Sequence, residues 1–200
     1  SLAMAAIHLT APGVPDLYRG SECFDFSLVD PDNRRPVDFA AHAALLERIE
    51  SRVAEAGIEV TAAEVSRDPR ADEAKLFLSW RLLQLRRAEP ALFRDGNYRP
   101  LQVSGAAAEH LVAYARCTGA AVVVVIVARL FVELLGAPGR LPEGDVWGDE
   151  AVELDGLVEG ELVDRLSGRR IRVADARIPA ASVFAGFPAV VMTGQRASAA

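Results

Sequence analysis

Charged side chains that could recognise a ligand are concentrated in one irregular stretch, residues 20–36. Its centre reads DPDN at 30–33, followed by Arg34 and Arg35. On residue type alone this run predicts a turn, because Asp and Asn bond to nearby backbone and Pro fixes φ. The two arginines then either pair with a local carboxylate such as Asp32 or help to shape a binding site. Long structured loops in compact domains are often functional, so this loop is the first candidate site.

Metal and thiol chemistry have little support in the sequence. His8, His42 and His110 are widely spaced and form no H-x-x-x-H pair, so we predict no metal site. Cys23 and Cys117 are far apart and neither belongs to a C-x-x-C pair. Two lone thiols fit a reducing compartment, and we expect no disulfide. No cofactor is expected.

Composition excludes several classes of partner. The chain has 200 residues, 22 basic and 28 acidic, for a net charge of −6, and its basic residues are scattered. We therefore expect neither nucleic-acid nor membrane-surface binding. The most apolar run, 120–128, is too short to span a bilayer and reads as a buried strand. The apolar start at 1–9 lacks a basic region and a cleavage pattern, so a cytoplasmic location is expected.

Helical patterns dominate the first half of the chain. Residues 1–11 read as the end of a buried helix that Pro12-Gly13 breaks. A short strand is predicted at 14–18, although Pro15 is unusual there. Amphipathic helices are predicted at 39–56 and 71–89. A lone strand with no partners in this half is typical of the last βα unit of a larger α/β structure.

The second half changes to short β-type runs separated by turn residues. Several short strands at this spacing predict an all-β antiparallel sandwich. In it, Val122, Val124 and Ile126 should share one buried face of a central strand. The predicted strands are 98–103, 110–116, 122–130, 151–154, 161–166, 170–173 and 188–192. The predicted fold class is therefore α+β, with a boundary near residue 95.

Two motifs carry a resemblance to a known family. The segment 11–22, APGVPDLYRGSE, resembles the G-x-P-x-x-Y-x-G-x-E pattern of the eighth strand in (β/α)8 barrels of the α-amylase clan. The segment 27–39, SLVDPDNRRPVDF, is similar to the signature loop of maltooligosyl trehalose synthases. Further similar segments are 75–87, 90–98, 110–116, 146–149 and 164–169. The chain thus resembles the C-terminal part of such an enzyme: residues 1–95 as the end of the barrel and 96–200 as the β-sandwich.

The resemblance implies a parent enzyme that converts the reducing-end α-1,4 linkage of a maltooligosaccharide into an α,α-1,1 linkage by a retaining mechanism. The catalytic carboxylates of the clan follow the fourth, fifth and seventh barrel strands, so we expect none of them in this chain. We also expect the chain alone to be inactive.

The resemblance further gives the loop a place on the substrate rim. The residues expected to contact substrate are Asp30, Arg34, Arg35 and Tyr18. Carboxylate and guanidinium groups suit sugar hydroxyls, because each accepts or donates two hydrogen bonds in one plane. Tyr18 either stacks on a sugar ring or belongs to the core. Glu22 is expected to be a structural hydrogen-bonding group, not a catalytic acid.

Three interpretations remain open from sequence. The chain is part of a glucan-rearranging enzyme, a non-catalytic carbohydrate-binding or interaction module, or part of another hydrolase or isomerase of the clan. The loop at 27–39 favours the first, since a binding module has no reason to keep a substrate-rim loop. Without its barrel neighbours, the N-terminal half should either self-associate through the exposed barrel face or have a rearranged 1–36 segment.

Overall fold

The computed structural model describes residues 1–137, 140–184 and 186–197. It shows a mixed fold in which helices cover one antiparallel sheet and a second, smaller sheet covers the other side. The helices are α1 (Leu2–Thr10), α2 (Phe39–Ala56), α3 (Ile58–Val65), α4 (Asp72–Ala88), α5 (Pro90–Asp95), α6 (Phe131–Leu135) and α7 (Ala180–Val183). No helix within the described ranges is both long and apolar enough to cross a membrane.

The strands form two sheets in which every pairing is antiparallel. The strands are β1 (Asn97–Pro100), β2 (Val103–Ser104), β3 (Leu111–Thr118), β4 (Ala121–Ala128), β5 (Ala151–Glu153), β6 (Glu161–Asp164), β7 (Arg170–Arg172), β8 (Arg177–Pro179) and β9 (Ala189–Gln195). The large sheet has the order β1-β3-β4-β9-β6-β7, and the small one β2-β5-β8. The antiparallel strands predicted for the second half of the chain are confirmed, and β8 is a strand that the sequence did not reveal.

Strand β4 lies at the centre of both hydrophobic cores. Val122, Val124 and Ile126 pack toward the small sheet, where they meet Val152 and Ile178. The alternate residues of β4 point to the opposite face and contact the helices. Alternation is a property of any strand, and here both faces are buried, which explains the unbroken valine run.

Helices α1 to α5 form a layer on the outer face of the large sheet. Helix α2 begins at Phe39, as predicted, because Asp38 caps it by accepting a hydrogen bond from Ala41 N at 2.9 Å. It ends at Gly57, which has a φ of +85°. Helix α4 matches the prediction to within one residue at each end. Phe77 on this helix stacks on Phe187, with ring centroids 5.8 Å apart, so α4 packs directly on the β-rich half.

The strand predicted at 14–18 is wrong. These residues have no regular secondary structure and pair with no strand in the described chain, and Val14 is 95% exposed. Pro12 and Pro15 lack the N–H groups that a ladder requires, and no neighbouring strand lies beside them. The segment is held instead by side chains. Arg86 donates to Leu9 O at 3.0 Å and to Gly13 O at 3.3 Å, and His8 Nε2 lies 2.9 Å from Asp16 O.

Helix α1 is less buried than its sequence predicts. Leu2, Ala6 and Leu9 are buried, but Met4 is 67% exposed, so the helix has one solvent-facing side. The proposed division near residue 95 stays a prediction, because the helical core and the large sheet share one continuous cluster of apolar side chains. The last residues of the predicted β domain, 198–200, lie outside the described part of the chain.

Candidate functional site

The first part of the loop after α1 is fixed by side chains from two helices. Asp72, at the start of α4, accepts a hydrogen bond from Phe24 N at 2.7 Å. Lys75, one turn further on, donates to Cys23 O at 2.8 Å and lies over the Phe24 ring. Because residues three apart lie on one face of a helix, this pair holds two consecutive peptide groups of the loop.

Helix α2 adds a third attachment. His42 Nδ1 lies 2.9 Å from Glu22 Oε1, and both side chains are about three-quarters buried, with 22% and 25% exposure. Glu22 is therefore engaged in a local hydrogen bond, in agreement with the structural role expected of it. No local pattern marks His42, Asp72 or Lys75 as partners of the loop, because each contacts it only through tertiary packing.

The second part of the loop is organised by its own charged residues. Arg34 pairs with Asp30, donating from Nη2 to Oδ2 at 2.8 Å, and Arg35 pairs with Asp32. Asp32 also accepts a hydrogen bond from Leu28 N at 2.8 Å. The local pairing expected for the arginines is thus present. Since the side chains of Arg34 and Arg35 remain 71% and 74% exposed, these pairs contribute little stability and leave the guanidinium groups accessible.

Arg19 connects this charged turn to the residue beside it in sequence, Tyr18. Its Nη2 donates to Arg34 O at 3.2 Å and to Arg35 O at 3.1 Å. Tyr18 is 50% exposed, so its ring is not a core residue. The structure therefore places Asp30, Arg34 and Arg35 together in one turn, and joins that turn to the backbone next to Tyr18.

An exposed apolar surface adjoins the charged turn. Phe26 is 86% exposed, Leu28 77% and Val29 84%. The Phe26 ring stacks in parallel on the Phe24 ring, with ring centroids 5.9 Å apart, and Lys75 lies over the Phe24 ring. Phe24 and Lys75 therefore hold Phe26 in position. Contiguous exposed apolar side chains usually mark a contact surface for another molecule or another part of the same protein.

The electrostatics of the loop suit binding, not covalent chemistry. Burial, with the negative charges of Asp72 and Glu22, raises the pKa of the Cys23 thiol to about 11, so it stays protonated near neutral pH and is a poor nucleophile. Burial lowers the pKa of Lys75, although nearby acids and Cys23 partly oppose the shift. Hydrogen bonds from Ser27 lower the pKa of Asp25, which keeps that carboxylate ionised.

The remaining candidates are structural. Within the described residues, no group of three His, Cys, Asp or Glu side chains could hold a metal ion. Trp147 is fully buried, donates to Pro142 O at 3.1 Å and stacks on Phe184. The loop thus offers exposed carboxylate, guanidinium and phenol groups, a combination suited to a polyhydroxylated ligand.

Comparison with known proteins gives a consistent answer. No protein-family model matches the chain. A Mycobacterium tuberculosis protein named as a maltooligosyl trehalose synthase is 34% identical over 197 residues, which are 98% of this chain and 21% of that protein. The solved maltooligosyltrehalose synthase of Arthrobacter ramosus is 37% identical, with a TM-score of 0.71, over 96% of this chain and 21% of that one. An Anoxybacillus α-amylase, at 18% identity and a TM-score of 0.57 over 100% of this chain and 32% of that one, shares the fold.

The resemblance inferred from the motifs is therefore confirmed by sequence and by structure. The chain is similar over nearly its whole length to the C-terminal part of maltooligosyl trehalose synthases, and it spans about a fifth of their length. The mixed fold of helices and antiparallel sheets also matches that part of amylase-type enzymes.

Proposed function

We propose that this chain, similar over nearly its whole length to maltooligosyl trehalose synthases, supplies the substrate rim and β domain of a glucan-rearranging enzyme. That enzyme would convert the reducing-end α-1,4 linkage of a maltooligosaccharide into an α,α-1,1 linkage. The observation that carries the proposal is 34% identity over 98% of the chain. Conversion by a retaining route needs a carboxylate nucleophile and a carboxylic acid about 5–5.5 Å apart, which other parts of the enzyme would provide.

Residues 1–95 would complete a (β/α)8 barrel, and the rest would form the β-sandwich. Two features support this division. The backbone at 14–18 is unpaired within the described chain, as the residues of a barrel strand would be without its neighbours. The adjoining apolar side chains, Phe26, Leu28 and Val29, have the exposure expected of a surface that the barrel covers.

In this arrangement Asp30, Arg34 and Arg35 would bind sugar hydroxyls. The exposed ion pairs can exchange part of their mutual hydrogen bonding for hydroxyl groups at little cost, because surface pairs contribute only about 0–1 kcal/mol. Tyr18, half exposed beside Arg19, would pack its ring against a sugar face. Asp72, Lys75 and His42 would act as positioning residues by holding the start of the loop.

The rim residues are tested in the longer enzyme that contains this chain. Asp30→Asn, Arg34→Gln and Arg35→Gln should each raise the KM for maltopentaose about 2–10-fold, as expected for one lost hydrogen bond of roughly 0.5–1.5 kcal/mol. The matched control is Arg94→Gln, which breaks another exposed arginine–carboxylate pair, with Asp95, far from the loop in sequence. Unchanged kinetics in all three rim variants would contradict the assignment of the loop.

The chain alone should form no trehalose-capped product from maltopentaose. A chromatographic assay for loss of the reducing end, with the longer enzyme as positive control, measures this directly. Formation of that product by the purified chain, free of contaminating enzyme, would contradict the proposal. Tight glucan binding without product would instead favour a carbohydrate-binding module.

A further inference from the structure

A polar groove runs between the second half of α4 and the outer face of the large sheet, away from the loop described above. One part, of about 270 Å³, is lined by Arg81, Gln84, Leu85, Ala88, Glu89 and Arg165. It adjoins a second part of about 430 Å³, which is lined by Val163, Thr193 and Gln195 and by the carboxylates of Glu159 and Glu161. Of these two carboxylates, Glu161 pairs with Arg170. Arg165 and Glu89 line both parts, so the two form one continuous feature.

Two arginines are held in fixed positions in this groove. Arg81 Nε donates to Arg165 O at 3.1 Å, and its guanidinium carbon lies 5.5 Å from the centre of the Trp80 ring. Arg165 Nε donates to Thr193 Oγ1 at 2.6 Å. Because each Nε is committed to the protein, the planes of both groups are set. Their terminal nitrogens have no acceptor among the residues that the structure describes.

In the smaller part of the groove, two arginines are accompanied by one lining carboxylate, that of Glu89. Neither arginine forms an ion pair within 4.0 Å in the described part of the chain. Burial lowers the pKa of Arg81, and the positive charge of Arg165 lowers it further. Asp164 acts in the opposite direction, but it is buried and already accepts hydrogen bonds from Leu166, Ser167 and Val191.

We propose that this groove binds a phosphorylated sugar, with the phosphate held by the terminal nitrogens of Arg81 and Arg165. Guanidinium groups match phosphate oxygens in charge and in planar geometry. A neutral glucan would leave the terminal nitrogens of both arginines without an anionic partner. A bare anion would be repelled by Glu89 and Glu159, whereas their carboxylates and the amide of Gln84 can bond to sugar hydroxyls. The site is separate from the proposed substrate rim and does not depend on the function proposed for it.

Isothermal titration calorimetry of the 200-residue chain tests the proposal with glucose 6-phosphate, inorganic phosphate, glucose and maltotriose as probes. Glucose 6-phosphate should bind with one-to-one stoichiometry and more weakly as salt increases. Inorganic phosphate should bind more weakly, and the neutral sugars not detectably. Arg81→Gln and Arg165→Gln should each reduce the affinity for glucose 6-phosphate about tenfold or more, as loss of a charge-assisted contact implies.

Three further variants separate a binding role from a structural one. Arg87→Gln, at an exposed position on the same helix outside the groove, should leave the affinity unchanged. Arg165→Lys keeps the charge but not the planar fork and should retain intermediate affinity. Glu89→Gln should strengthen the binding of inorganic phosphate and narrow the preference for the phosphorylated sugar.

Several results would overturn the proposal. Maltotriose binding that matches or exceeds that of glucose 6-phosphate would show a glucan site instead. Equal affinity for inorganic phosphate and glucose 6-phosphate would show that the groove does not recognise the sugar. Unchanged affinity in Arg165→Gln, or the absence of any phosphate binding, would show that these arginines do not hold a phosphate. If Arg165→Gln fails to fold, the opposite shifts expected for Arg165→Lys and Glu89→Gln decide the question.

Discussion

Replacing Tyr114 by Phe tests how the helical layer is fastened to the sheet. Tyr114 lies on β3, is 2% exposed, and has its hydroxyl 2.6 Å from Thr10 Oγ1 at the end of α1. Thr10 donates its single hydroxyl hydrogen to Ala6 O at 2.5 Å, so Tyr114 must be the donor in the pair. Tyr114→Phe removes this donor and should lower the free energy of unfolding at pH 7 by about 1–1.5 kcal/mol.

The difference between the two proteins should depend on pH. Burial raises the pKa of Tyr114 to about 12, above the ordinary value of 10. Between these values the unfolded chain loses the phenolic proton and the folded chain keeps it, so the contribution of Tyr114 to stability is full below pH 10 and falls as pH rises. The loss is roughly 1.4 kcal/mol at pH 11 and about 2.7 kcal/mol above pH 12. The stability advantage of the unmodified chain should therefore vanish near pH 11.

Urea unfolding followed by circular dichroism, at pH 7, 9, 10 and 11, gives the free energy of unfolding of the unmodified chain and of Tyr114→Phe. Subtracting one value from the other removes the contribution of all other titrating groups. Tyr98→Phe is the matched control, because the Tyr98 ring packs on Tyr114 with centroids 5.2 Å apart but is 49% exposed. It should change stability by less than about 0.5 kcal/mol at pH 7. A Tyr114→Phe difference that stays constant from pH 7 to pH 11 would refute the reasoning.

Two further perturbations test the core and the exposed loop. Phe77→Ala removes a fully buried ring that stacks on Phe187. It should lower the free energy of unfolding by about 3–5 kcal/mol in the same urea assay. A loss below about 1 kcal/mol would show that α4 does not pack on the β-rich half. The chain should also self-associate through the exposed apolar part of the loop, so sedimentation velocity should show concentration-dependent dimers. Phe26→Ser combined with Val29→Ser should abolish them, and a strict monomer at all concentrations would contradict this expectation.

Sequence periodicity predicted those elements whose signals are local. The apolar spacing of α2 and α4, with Asp38 before one and Pro90 after the other, is written within each segment. The valine run of β4 is equally local, because only a strand buried on both faces tolerates it. These are the elements at the centre of the fold, which is why a mixed fold of helices and antiparallel sheets could be predicted from the sequence.

The elements that were missed depend on contacts remote in sequence. Strand β8 has three residues, one of them proline, and pairs only with β5 after a turn in which Asp175 and Ala176 have positive φ. Helix α3 follows α2 across a single residue, Gly57, and has no side-chain cap to mark its start. The strand predicted at 14–18 is absent for a related reason. Its prediction rests on local pattern alone, but a strand forms only where a second strand pairs with it.

The residues of the candidate site also divide into those with local partners and those with partners remote in sequence. Its position and its polar residues could be read from the sequence, because the charged turn pairs with itself over four residues or fewer. The three helix side chains that hold the start of the loop could not, because Asp72 and Lys75 meet it about fifty residues away in sequence. A motif thus predicted the charged turn but not the contacts that orient it.

The two sides of the loop have different requirements, and this links the proposed rim to the exposed apolar surface. The polar side satisfies itself: Asp30 pairs with Arg34 and Asp32 with Arg35, so it can stand in water without a ligand. The apolar side does not, because Phe26 and Val29 remain more than four-fifths exposed, and burying such side chains is worth about 1.5–3 kcal/mol each. Covering that side would restrain Val29, which directly precedes the charged turn, and Arg19 already ties the turn to the backbone next to Tyr18. The rim should accordingly reach its binding geometry only after the apolar side is covered.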